Sequence, residues 1–81
     1  MTQREYDNHR LLCNNICDAL ADAYQDETPV EYQFAVNPKT YEVKVVESLA
    51  GVPAGWIYES IVDAEWSTIC DCADQYFDFR S

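Results

Sequence analysis

Asp18, Asp22 and Asp26 follow one another at four-residue steps, and Asp63, Asp71, Asp74 and Asp78 can line one stripe of a second helix, with Ser67 filling the gap. Residues three and four apart on a helix are surface neighbours, and like charges there cost about 0.2–0.5 kcal/mol per pair. Folding alone does not ask for such rows, so the pattern points to a partner. Successive carboxylates at this spacing lie roughly 6 Å apart. That is close to the separation of phosphates along one nucleic-acid strand, whose duplex carries one charge per about 1.7 Å of axis. A rigid row of carboxylates therefore fits a groove of Lys and Arg built for a phosphate backbone. Glu27 and Glu59 are added to the candidate contact set. Asn14, Asn15, Gln25, Ser67, Thr68 and Gln75 lie beside the rows as hydrogen-bonding groups, and Tyr24 and Tyr58 supply amphipathic contact area. The plainer reading of the same residues is a solvated acidic surface that keeps a small protein soluble.

The other reactive side chains are four cysteines and one histidine. Cys13 and Cys17 stand one helical turn apart, whereas Cys70 and Cys72 are separated by about 200° of rotation on a helix. Structural zinc sites favour Cys-x2–4-Cys spacings on loops and knuckles. Both pairs converge only if the last helix breaks around Asp71, so no metal or other cofactor is expected. A Cys17–Cys70 bridge is geometrically conceivable, but a reducing cytoplasm disfavours it. The thiols are expected to be small, partly buried core residues. His9, among Asp7, Asn8 and Arg10, reads as a surface side chain. No Gly-x-Ser-x-Gly, P-loop or His-Glu-x-x-His pattern is present, and two glycines cannot build a phosphate cradle. The sequence does not read as an enzyme.

Fifteen acidic residues against five basic ones give a formal net charge of -10. Nucleic acid and anionic membranes are themselves polyanions, so the charge argues against direct binding to either and favours a basic protein surface. No apolar run approaches the roughly 20 residues needed to span a bilayer, and the polar start offers no secretory core. A cytoplasmic location in a bacterial host is the expectation. The length suits one domain over residues 1–81, as a monomer or homodimer.

The elements that must position these groups follow from periodicity. Thr2 with Glu5 reads as a capping box opening a helix from about Gln3 to Gln25, with Leu12, Ile16, Ala19, Leu20 and Ala23 as its apolar stripe. Thr28-Pro29 ends it. Val30, Tyr32, Phe34 and Val36 then alternate with Glu31, Gln33 and Ala35, and Tyr41, Val43 and Val45 alternate with Glu42, Lys44 and Val46. A turn at Asn37-Pro38-Lys39-Thr40 would pair Val36 with Tyr41 and Phe34 with Val43, setting Gln33 opposite Lys44. A last helix is expected from somewhere between Pro53 and Ser60 to about Phe79, with Val62, Trp66, Ile69, Ala73, Tyr76 and Phe77 on its apolar face. Trp56 and Ile57 either open that helix or form a short third strand. The fold class is thus α+β, with two helices packed on one face of an antiparallel hairpin.

In size, charge and helix–hairpin–helix order, the chain resembles small acidic phage and mobile-element proteins that block restriction, repair or CRISPR enzymes, anti-CRISPR proteins among them. The resemblance is one of type, with no specific motif behind it. It implies a non-enzymatic inhibitor that mimics nucleic acid and occupies the basic groove of a nuclease or surveillance complex. The alternative is an acidic binding module, such as an immunity protein or antitoxin covering a basic toxin. That module would rely on aromatic anchors with an acidic rim.

Overall fold

A computed structural model describes residues 2–77. Two helices and a three-stranded antiparallel sheet form a small α+β domain: α1 (Gln3–Ala23), β1 (Tyr32–Val36), β2 (Val43–Val45), β3 (Ile57–Ile61) and α2 (Trp66–Tyr76). A single 3-10 turn, Leu49–Gly51, interrupts the connection between β2 and β3. The capping box opens α1 as expected. The Glu5 amide donates to Thr2 Oγ1 at 3.2 Å, and Glu5 Oε1 accepts from the Thr2 amide at 3.4 Å. Leu12, Cys13, Ile16 and Leu20 form its buried stripe, with Cys13 in place of the exposed Ala23. The helix stops two residues short of Gln25, with Tyr24 as its C-cap.

The strand order is β2-β1-β3, so β1 is central. The hairpin register differs from the sequence expectation by two residues: Val36 pairs with Val43, Ala35 with Lys44 and Phe34 with Val45. A two-residue slip keeps every side chain on its original face, so the alternation alone cannot distinguish the two registers. The turn decides between them. The Asn37 amide donates to the Glu42 carbonyl at 2.9 Å, the Tyr41 amide to the Asn37 carbonyl at 2.8 Å, and the Lys39 amide to Asn37 Oδ1 at 2.9 Å. Tyr41 sits in the left-handed region (φ 62°) and turns inward instead of pairing with Val36. That conformation is uncommon and costly for an aromatic residue. Burial of the ring in the core, and a hydrogen bond from Asn15 Nδ2 to the Tyr41 carbonyl at 2.8 Å, offset the cost.

Of the two alternatives for Trp56 and Ile57, the third strand forms: β3 pairs with β1 from Tyr32–Ile61 to Val36–Ile57. The helix starts only at Trp66, and Val62, expected on its apolar face, lies in the preceding loop and is 77% exposed. Phe79 lies outside the described residues.

Both helices cover the sheet face that carries Phe34 and Val36. Leu12, Ile16, Ile61, Ile69, Cys72 and Ala73 meet there in one cluster. Phe34, Leu12, Ile16, Leu20 and Ile69 are fully buried, each worth about 1.5–3 kcal/mol. Residues 46–56 must cross β1 to join the two edge strands. On the sheet face opposite Phe34 and Val36, Ala35 has no exposed surface.

Candidate functional site

Asp18 and Asp22 are exposed on α1, four residues apart. Because α1 ends at Ala23, Asp26 and Glu27 lie beyond the helix, exposed in the following turn, and the row expected over Asp18, Asp22 and Asp26 has only two helical members. The second row is shortened in the same way. Asp71 and Asp74 are exposed on α2, but Asp63 lies in the loop before it, and Asp78 falls outside the described residues. Asp63 shapes the start of α2. Hydrogen bonds from the Thr68 side chain and the Glu65 amide, the latter at 3.0 Å, hold its carboxyl below the ordinary value. Glu59 pairs with Phe34 and so faces the helices, where partial burial pushes its carboxyl upward. The eight described acids of the set therefore form two short exposed pairs with outliers, not two continuous rows.

One acid of each remaining pair stands where its own helix disfavours it. A helix C-terminus carries the equivalent of about half a negative charge, and an acid in its last turn is unfavourable by about 0.3–1 kcal/mol. Asp22 is in the last turn of α1 and Asp74 in the last turn of α2, and neither turn contains a basic residue. Among the described residues, no carboxylate lies within 4.0 Å of a Lys or Arg nitrogen, and Asp74 instead contacts the His9 imidazole. Several expected helpers are engaged internally. Tyr24 stacks edge-on against Tyr32, with ring centroids 5.3 Å apart. The Tyr58 hydroxyl donates to Gln33 Oε1 at 2.7 Å, and Asn15 holds the Tyr41 carbonyl. Asn14, Gln25, Ser67 and Gln75 are exposed.

His9 is not a surface residue. Its side chain is 16% exposed at the contact between α1 and α2, with Nε2 2.8 Å from Asp74 Oδ1. Cys13 Sγ lies 3.9 Å from His9 Nδ1 and 3.8 Å from Nε2. Cys70 of α2 completes a trio, with one ring nitrogen and both sulfurs all within 4.8 Å of one another. Burial, and then the neighbouring Cys70, push the Cys13 thiol up to about 12. Beside the trio opens a cleft of about 370 Å³ lined by Tyr6, His9, Arg10, Trp66 and Cys70. Trp66 (48% exposed) and Tyr76 (51%) are the large aromatics that α2 leaves in solvent. Spacing along the chain does not bring His9, Cys13 and Cys70 together. The cluster's visible signal is His9 and Cys13 at i and i+4, which places them on one helix face. No protein-family model, curated protein or solved structure matches the chain.

Proposed function

We propose that the protein is a non-enzymatic binding protein that presents its helix-borne carboxylates to a basic groove on a nucleic-acid-binding protein. The observation that supports this reading is exposed acid at the C-terminal end of both helices, opposed by the helix dipoles and relieved by no Lys or Arg among the described residues. Such placement lowers the stability of the isolated domain and strengthens its field toward a cationic surface. Attraction of that kind speeds encounter and weakens steeply with salt. Asp18 and Asp22, at i and i+4 on an ordered helix, are spaced like neighbouring phosphates, with Asp26 and Glu27 extending the acid past the helix end.

A second reading draws on the half-exposed Trp66, Tyr6 and Tyr76. Aromatic side chains of this kind commonly anchor protein interfaces, and an acidic rim around them would describe a module dedicated to one basic protein. Both readings are tested with candidate basic nucleases and toxins. A binder of the groove is displaced by duplex DNA or RNA, releases with added salt, and loses affinity stepwise in Asp18→Lys and Asp22→Lys. A module anchored by aromatics is indifferent to nucleic acid and collapses in Trp66→Ala. Inhibition or binding that survives the double reversal at Asp18 and Asp22 removes this acidic pair from the interface and with it the proposal.

A further inference from the structure

We propose that His9, Cys13 and Cys70 form a binding site for a zinc-class divalent ion that joins α1 to α2, with Asp74 as the carboxylate that orients His9. The expectation of no metal rested on the pairs Cys13–Cys17 and Cys70–Cys72, which do not converge. The folded chain selects a different set, taking one cysteine from each pair and adding the histidine.

Two thiolates and an imidazole suit a soft or borderline d-block ion and disfavour magnesium or calcium, which take oxygen ligands. With Zn–S near 2.3 Å and Zn–N near 2.0–2.1 Å, tetrahedral geometry places sulfur and nitrogen roughly 3.6 Å apart and two sulfurs roughly 3.8 Å apart. Cys13 Sγ is already 3.9 Å from His9 Nδ1, and one ring nitrogen and the two sulfurs lie within 4.8 Å of one another. His9 and Cys13 are held in relative position by one turn of α1, and Cys70 is carried on α2.

Asp74 supplies the second part of the argument. Metal-bound imidazoles commonly donate their other nitrogen's proton to a carboxylate, which fixes the tautomer and the ring plane. Asp74 Oδ1 stands 2.8 Å from His9 Nε2. In the tautomer that donates Nε2–H to Asp74, Nδ1 carries the lone pair, with Cys13 Sγ 3.9 Å away. On binding, one proton leaves each thiol for solvent and two metal–sulfur bonds form, so the divalent charge is balanced by two thiolates. The three protein ligands leave a fourth position beside the cleft lined by Tyr6, Arg10 and Trp66, where water or a donor from another molecule completes the tetrahedron.

The site is independent of the partner-binding reading, because its test uses the protein alone. The full chain, reduced and stripped with chelator, is titrated with Co2+ as a spectroscopic probe and then with Zn2+. One equivalent of Co2+ is expected to produce thiolate-to-cobalt charge transfer in the near ultraviolet and the visible bands of a tetrahedral ion, both bleached by one equivalent of Zn2+. Cys17→Ser and Cys72→Ser retain both signals, while Cys70→Ser loses the spectrum. Asp74→Asn keeps the spectrum but weakens binding about 10- to 100-fold. Absence of the bands in excess Co2+, or their survival in Cys70→Ser with loss in Cys17→Ser, overturns the site. His9→Gln is measured in parallel, so that a Cys70 variant that fails to fold does not decide the matter. Wild-type cobalt affinity in His9→Gln overturns the proposal by itself.

Discussion

Removing one negative charge from each end of α1 should change stability in opposite directions. Asp22→Asn relieves two unfavourable interactions: repulsion with Asp18 at i−4, about 0.2–0.5 kcal/mol, and conflict with the negative end of the helix dipole, about 0.3–1 kcal/mol. Together they predict a gain of about 1 kcal/mol. For a domain of this size that raises Tm by about 4–8 °C. Glu5→Gln removes a charge from the first turn, where the dipole attracts it, while keeping an oxygen able to accept within the capping box. It should lower stability by about 0.5 kcal/mol, or about 2–4 °C. Each substitution changes the formal net charge identically, from -10 to -10 + 1 = -9. General self-repulsion would therefore raise both melting temperatures together. Thermal melts in dilute buffer, followed by circular dichroism, separate the cases. Shifts of the same sign for both variants would refute the local argument, and with it the claim that acid at the helix ends opposes folding.

Three further outcomes are expected. Raising sodium chloride from about 0.01 M to about 0.1 M shortens the screening length from about 30 Å to about 10 Å and should raise Tm, whereas a fall would contradict net repulsion within the fold. Glu59→Gln tests the burial of that carboxyl. The folded state holds its proton more tightly than the unfolded chain, so stability is lost as pH rises through the folded value. The variant should melt higher than wild type near about pH 7 and equally near about pH 3, where both states are protonated, and an advantage independent of pH would sink the explanation. Asn15→Ala removes the hydrogen bond to the Tyr41 carbonyl and should cost about 1 kcal/mol in chemical denaturation. An unchanged midpoint would mean that packing of the Tyr41 ring holds the turn unaided.

How much of this was legible depended on whether neighbours in sequence or in space did the deciding. The start and buried stripe of α1 were readable because capping and periodicity are local. The third strand was legible only as an alternative at Trp56 and Ile57, and its run to Ile61 was hidden by Glu59. An acid in the middle of the inward row of Ile57, Glu59 and Ile61 breaks the alternation of apolar residues, and only pairing with β1 reveals it. Tyr41 looked like a strand residue, since nothing about a tyrosine signals a left-handed backbone. At the candidate site, the acids were identified by type but their rows were extrapolated through two helix ends. One end fell at Ala23, and the other row began only at Trp66. Cys70 could not be matched with His9 and Cys13, because that grouping depends on how two helices pack side by side on one face of the sheet.

The strand order also has a consequence for synthesis. β1 is the middle strand, yet the residue that hydrogen-bonds Gln33 from β3, Tyr58, comes 25 positions later. At translation rates of about 5–20 residues per second, the nascent chain carries the unfinished flank of β1 for about 1–5 s. Unsatisfied amides and carbonyls along such a flank invite pairing with another chain. Mutual repulsion among strongly anionic chains would hold neighbouring copies apart during that interval, giving the same carboxylates a protective task before the domain is complete.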